Sequence, residues 1–211
     1  MKKIAVFASG SGSNYQAIVN YIQSDRDRKQ CAEELDVALL VCDNPQALVL
    51  EKAAGLGTPS LVVDRKIYPS KARFEQAILA RLEEIEIDFI VLAGYMRILG
   101  ATLLNRYKGR TINIHPSLLP AFPGKYAIEQ ALAYGVRVTG ISIHYVDEGM
   151  DTGPIIYQQP IEIARNETAE SLATKIHRLE HHIYPRVVYA CVQEQITLED
   201  HEVRWNKELI L

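Results

Sequence analysis

Three short segments carry side chains whose types and spacing could do chemistry. In Asn113-Ile114-His115-Pro116-Ser117-Leu118-Leu119-Pro120 an amide and an imidazole stand two residues apart. Residues two apart on a strand share a face, so Asn113 and His115 would point the same way at a strand end. A neutral amide donor beside an ionisable imidazole suits a carbonyl whose oxygen gains negative charge. The same pair would also serve to satisfy loop backbone. In Asp147-Glu148-Gly149-Met150-Asp151-Thr152-Gly153-Pro154, two glycines and a proline can aim an acid back at a sheet edge. Asp151, between Met150 and Thr152, is the better candidate for an inward carboxylate; Asp147 and Glu148 read as a solvated turn. A carboxylate beside His115 would raise the imidazole pKa and favour the proton-donating form. In Gly10-Ser11-Gly12-Ser13-Asn14, glycines permit close backbone approach to an anion, and a helix N-terminus supplies free N–H groups. The run is not GxGxxG, and no acid ends the next strand in the dinucleotide pattern. A mononucleotide or sugar phosphate fits better than NAD. A tight turn with a capped helix is the plainer alternative.

One match points elsewhere. His177-Arg178-Leu179-Glu180-His181 fits H-x-x-E-H, and two histidines one helical turn apart could share zinc. No third ligand stands out, so no metal is expected. Glu180, beside Leu179 on the inward side, could instead bind a ligand amine. His182 and His201 read as surface residues; His144, on a strand beside the acidic turn, could line a pocket but reads rather as a satisfied core histidine.

The surrounding pattern must position these groups. Lys3–Ala8, Asp36–Val41, Leu61–Val63 and Phe89–Ala93 read as strands, the last apolar throughout. Helical spacing separates them, at Tyr15/Ile18/Val19/Ile22, over 46–54, and at Phe74/Ala77/Ile78/Leu82. Ser13 and Gln16 have capping-box spacing. Apolar strands alternating with helices predict a parallel sheet covered on both faces. Thr111–Ile114 is a further short strand, and a helix is expected over 127–134. Val138–Val146 and Pro154–Gln159 are joined by a short turn and should pair antiparallel. A long helix follows, with Leu172, Ile176, Leu179 and Ile183 on one face and Pro185 expected to kink or break it. A hairpin is expected within 196–211. The fold class is therefore α/β: a Rossmann-like, open, mostly parallel sheet with helices on both faces and an antiparallel extension in the second half.

Composition narrows the function. The chain has 211 residues, 48% hydrophobic and 23% charged, enough for a full core. Its net charge of −3 shows no basic excess, which argues against nucleic acid and for small-molecule partners. Cys31, Cys42 and Cys191 are odd in number and form no CxxC, as in a cytoplasmic protein with reduced thiols. No apolar run approaches a membrane span, and MKKIAVFASG is too short for a signal peptide.

Taken together, GSGSN at 10–14, AGYMRIL at 93–99, NIHPSLLPAFPG at 113–124, TGISIHYVDEGMDTGPII at 139–156 and LEHHIYP at 179–185 closely resemble the phosphoribosylglycinamide formyltransferase family. NIHPSLLP with a downstream DTGP marks the wider formyl-folate transferase superfamily; GSGSN and LEHHIYP narrow it. The resemblance runs nearly end to end. It implies a single formyltransferase domain over 1–211, with about 1–100 as the nucleotide/phosphate-binding half and about 101–211 as the folate-binding and catalytic half. It implies that Gly12, Ser13, Asn14 and Glu180 hold glycinamide ribonucleotide. Met96, Arg97, Ile98 and Leu99 would line the folate pocket, with the stretch from Tyr145 to Asp151 closing over the pterin and Tyr145, Val146 and Asp147 among the folate contacts. Lys71, or Arg73, stands where the family often has arginine, and Tyr126 where some members carry histidine. The implied catalytic set is Asn113, His115 and Asp151, the co-substrate 10-formyltetrahydrofolate, and the protein a cytoplasmic monomer or homodimer without metal.

On that resemblance, the glycinamide amine attacks the formyl carbon. Asn113 and protonated His115 stabilise the oxyanion, and Asp151 keeps His115 charged. Formyltetrahydrofolate deformylase is the main alternative. That family usually has a preceding regulatory domain, whereas the first strand here begins at Lys3. Methionyl-tRNA formyltransferase shares SLLP and DTG but adds a C-terminal tRNA-binding domain. A non-catalytic phosphate binder would have no need of Asn113, His115 and Asp151.

Overall fold

The computed structural model describes residues 1–28 and 35–206. Cys31 lies outside the described residues, as do 207–211 of the expected hairpin. Strands β1 (Lys2–Phe7), β2 (Leu35–Cys42), β3 (Ser60–Val62), β4 (Phe89–Leu92) and β5 (Thr111–His115) are parallel; β6 (Val138–Tyr145) and β7 (Ile155–Glu162) extend the sheet antiparallel. The order is β3-β2-β1-β4-β5-β6-β7. Helices are α1 (Ser13–Arg28), α2 (Val49–Gly55), α3 (Lys71–Glu84), α4 (Ala101–Arg106), α5 (Ala127–Tyr134) and α6 (Ala169–Val192). Strands β8 (Ile196–Glu199) and β9 (Glu202–Trp205) form the expected hairpin.

Period-two alternation explains the two cores. Ile4, Val6 and Ala8 face one side of the sheet with Phe89 and Val91, beneath α1 and α6. Ala5 and Phe7 face the other with Ile90 and Leu92, beneath α3 and α4. A strand apolar at every position is what a sheet covered on both faces requires. The β7 edge tolerates Pro160, since an edge strand need not donate on its open side.

Four local expectations are corrected. Ser13 is the first helical residue, not a cap; Gly12 precedes it at φ 69°, and its carbonyl accepts from Gln16 N. A Cβ on Gly12 would meet Val49 Cγ2 at 2.3 Å, so close packing sets this corner. Helix α2 starts at Val49 because Asn44 Oδ1 accepts from Gln46 N, turning the chain first. Helix α4 was not expected; its six residues are too few to show a period. Helix α6 runs through Pro185 without a break. The proline forfeits one backbone bond, but Tyr184, Val187 and Val188 are fully buried around it and hold the turns together.

Tyr184 ties α6 to the sheet. Its hydroxyl donates to Leu92 O at 2.7 Å and lies 3.4 Å from Ile112 O, joining the helix to β4 and β5. Removing that buried donor should cost about 1–3 kcal/mol. Tyr184→Phe is expected to lower the urea midpoint at unchanged m-value. A parental midpoint would show that the tie contributes nothing.

Candidate active site

The site follows from strand order. β1 and β4 are neighbours, but the chain leaves β1 toward β2 and leaves β4 toward β5. Their loops therefore diverge, opening a crevice at the carboxyl ends of the strands. A cavity of about 710 Å³ occupies it. Gly12, Ser13 and Asn14 line it from the β1–α1 loop, Met96 to Leu99 from the loop after β4, and Asn113 and His115 from the end of β5. Val146, Asp151 and Glu180 complete the sequence-predicted residues on its wall.

Asn113, His115 and Asp151 converge as a cluster. His115 Nε2 is 2.8 Å from Phe122 O, and a carbonyl only accepts, so Nε2 carries the proton. Nδ1 is then the free nitrogen, 3.5 Å from Asp151 Oδ2. Burial pulls the His115 pKa below its ordinary value, against the opposing pull of the Phe122 carbonyl and the Asp151 charge. The expectation of a resting, protonated His115 is thus corrected: desolvation outweighs the neighbouring carboxylate, and the neutral imidazole is favoured. Asp151 is held below the usual carboxylate range by the His144 side chain beside it, opposed by burial and helped by the Gly124 N–H, which donates to Oδ2 at 2.7 Å. Asp151 sits at φ 57°, a left-handed conformation that costs free energy for a non-glycine residue. The Gly124 bond and the tight Gly153 turn, where a Cβ would lie 1.8 Å from Tyr145 O, hold it there.

His144 joins this cluster, where the sequence had favoured a core histidine over a pocket-lining one. It is 2% exposed, as a core histidine would be, yet it lines the cavity. Nδ1 donates to Tyr145 O at 2.8 Å. Nε2 lies 3.2 Å from Asn113 Nδ2 and 3.7 Å from Asp151 Oδ1. An amide N–H₂ only donates, so the contact with Asn113 is one in which Nε2 accepts. Its signal was the cross-strand register Asn113↔His144, which exists only once β5 and β6 are paired.

At the other end, Asn14 Nδ2 donates to Glu180 Oε2 at 2.8 Å, bridging α1 and α6. Asn14 Oδ1 has no partner among the described residues. Glu180 is 4% exposed, and burial pushes its carboxyl up to about 7 while the Asn14 bond pulls it down. Such a group is poised to meet a cationic amine.

Four sequence-predicted residues, counting Arg73 as the alternative to Lys71, are not brought to the cavity wall. Lys71 starts α3, its ammonium 3.9 Å from Glu75. Tyr145 is buried in the core, its hydroxyl donating to Ile196 O. Asp147 Oδ1 accepts from Gly149 N and Thr152 Oγ1, so its carboxylate shapes the loop. Arg73 pairs with Gln76 instead of facing the cavity. Tyr126 lines the cavity and is 72% exposed. His182 and His201 are exposed. The rings of His177 and His181 stack at 6.3 Å. Among the described residues no group of three or more His, Cys, Asp or Glu stands together as a metal site.

The formyl transferase family matches residues 2–188 of this chain. The chain belongs to that family. It is 54% identical over 188 residues to a phosphoribosylglycinamide formyltransferase of Bacillus subtilis (strain 168), covering 89% of this chain and 93% of that protein. It is 37% identical to the human trifunctional purine biosynthetic protein adenosine-3, covering 98% of this chain but only 20% of that longer protein. A crystal structure of glycinamide ribonucleotide transformylase 1 from Symbiobacterium toebii superposes with a TM-score of 0.90 at 38% identity, over 97% of this chain and 94% of that one. The expected α/β fold, with its parallel and antiparallel parts, is that of the formyl transferases.

The raised Glu180 value has a stability consequence. A folded state that holds the proton more tightly than the unfolded chain loses stability as pH rises. The loss starts above about 4.5 and is complete above about 7. Glu180→Gln removes it. The variant's melting temperature should rise relative to the parent across that window, the two agreeing at its acid end. A pH-independent gap would mean that Glu180 does not titrate there.

Proposed function

We propose that this protein transfers the formyl group of 10-formyltetrahydrofolate to the amine of glycinamide ribonucleotide, a step of purine biosynthesis. The observation that carries this reading is one cavity joining a glycine-rich helix N-terminus to the Asn113–His115–Asp151 cluster. A phosphate at one end and a formyl carbon at the other bring amine and donor together, and such positioning supplies much of the rate. Family membership supports formyl-folate as co-substrate, and the relatives support the acceptor. Residues 1–211 act in this reading as a single formyltransferase domain handling small molecules in the cytoplasm. Among the described residues no helix is long and apolar enough to cross a membrane.

The resemblance supplies the roles, and the geometry of the cavity supports them. Gly12, Ser13 and Asn14 receive the phosphate at the start of α1. Glu180 meets the amine side of the ribonucleotide. Met96, Ile98 and Leu99 pack on the folate, with Arg97 and Val146 at its edge. The amine nitrogen bonds to the formyl carbon, and the carbonyl oxygen takes up the negative charge. The Asn113 amide donates to that oxygen, a contribution of about 2.7–4 kcal/mol for such a donor. His115 Nδ1, bare in the resting site, takes the amine proton, and Asp151 stabilises the imidazolium formed. The carbon–nitrogen bond to folate N10 then breaks, and His115 returns the proton to N10. The formyl group arrives already activated, so the chemistry asks nothing of a metal.

Formyl loss from 10-formyltetrahydrofolate should depend on added glycinamide ribonucleotide; equal loss without it would make water the acceptor and replace transfer by hydrolysis. His115→Ala should lower kcat by about 10²–10⁴ while leaving ribonucleotide binding intact. Because His115 works as a base, its imidazole should be neutral at rest, its own ring signals titrating in an NMR pH series with a midpoint below the ordinary histidine value of 6.5. A midpoint above it would refute the neutral resting state.

A further inference from the structure

The loop after β4 carries Met96 and Arg97 on the cavity wall, and one carboxylate outside the cavity fixes both. Asp43, just past the end of β2, has a side chain 7% exposed. Its Oδ2 accepts from Arg97 Nε at 2.5 Å. Its Oδ1 accepts from Ser9 Oγ at 2.6 Å, and Ser9 Oγ in turn accepts from Met96 N at 2.9 Å. The serine hydroxyl is thus used in both directions, as donor to Asp43 and acceptor from the loop. Phe74 sits under the guanidinium, 5.8 Å from Arg97 Cζ to the ring centroid. The far end of the loop is fixed separately, by Glu75 Oε1 accepting from Gly100 N at 2.6 Å.

We infer that Asp43 is a positioning residue for the folate co-substrate, acting through Arg97 and, by way of Ser9, through Met96. This rests on the reading that the loop binds folate. The pairing takes only Nε of the guanidinium. Nη1 and Nη2 have no hydrogen-bond partner among the described residues, so their N–H groups are free for an anionic or carbonyl group of the ligand. An unpaired arginine would have to surrender side-chain freedom when the ligand binds; one already held by a carboxylate and a ring has lost most of it. Asp43 touches neither substrate nor the reacting atoms. Its effect should therefore fall on co-substrate binding and not on the chemical step. Asparagine in its place loses the charge that holds the guanidinium, and its N–H₂ either faces Arg97 Nε–H, where no bond can form, or reverses the bond with the Ser9 hydroxyl.

The test is steady-state kinetics and direct folate binding on Asp43→Asn, Arg97→Ala and the double variant, with ribonucleotide affinity measured alongside as a control of fold. Asp43→Asn is expected to raise KM for 10-formyltetrahydrofolate on the order of tenfold, the scale of a lost charge-assisted hydrogen bond. Its kcat and ribonucleotide Kd should stay within about twofold. The double variant should bind folate only slightly more weakly than Arg97→Ala alone, well short of the sum of the two single losses, because with Arg97 gone only the Ser9–Met96 route is left to Asp43. Asp43→Glu, which keeps the charge, should recover part of the loss. If Arg97→Ala weakens folate binding and Asp43→Asn does not, the role of Asp43 is overturned while the folate reading stands. If Arg97→Ala leaves folate binding unchanged, both fall. Loss of ribonucleotide affinity in Asp43→Asn would make its role one of general folding and would also overturn the proposal.

Discussion

The pairing of β1 with β4, Ile4 to Phe7 against Phe89 to Leu92, is the constraint on which the site depends. It places two strands side by side whose following chains must go opposite ways. Everything that lines the cavity hangs from that divergence. The glycine-rich loop leaves one strand, the Met96–Leu99 loop leaves the other, and β5 brings Asn113 and His115 alongside. Ile4–Phe7 and Phe89–Leu92 can be apolar at every position because helices cover both faces. Polar chemistry is thereby confined to the strand ends, where the backbone opens to a ligand.

Burial then sets the protonation states. His115, His144 and Glu180 are each 4% exposed or less, so each must hold its hydrogen bonds within the protein. His115 is left neutral with one nitrogen committed to Phe122 O. Glu180 is left poised between its two forms, with Asn14 as its partner. Asp151 stays ionised because it receives hydrogen bonds and faces two imidazoles. Three titratable groups of ordinary chemistry are thus pushed in different directions by their surroundings, which lets acid and base roles coexist near neutral pH.

The loops are held by carboxylates that the chemistry does not use. Asp147 closes the turn that carries Asp151, Asp43 and Ser9 hold Met96 and Arg97, and Glu75 fixes Gly100. Short polar side chains compete well for loop backbone and each other, so an irregular segment becomes a defined wall. Tyr184 does the equivalent for α6, whose place in the fold sets the position of Glu180.

Much of this was legible in the residues themselves. The alternation of apolar strands and helical spacing announced a sheet covered on both faces, since periods of 2.0 and 3.6 follow from local backbone geometry alone. The motif segments announced a formyl transferase and most of the cavity wall. Local pattern failed where the deciding contact was distant. His144 read as core because its partner across β5 and β6 is set by pairing register, not by its neighbours. Asp147 and Lys71 have the right chemistry for a ligand, but neighbours on their own loop and helix engage them first, a choice that residue type alone does not reveal. His115 was expected to be charged, because a sequence shows the nearby carboxylate but not the water that folding removes. Residue types and spacing determined what chemistry was available; tertiary structure decided which groups meet, which are dry and therefore which protons are held, because dielectric and distance exist only in the folded chain.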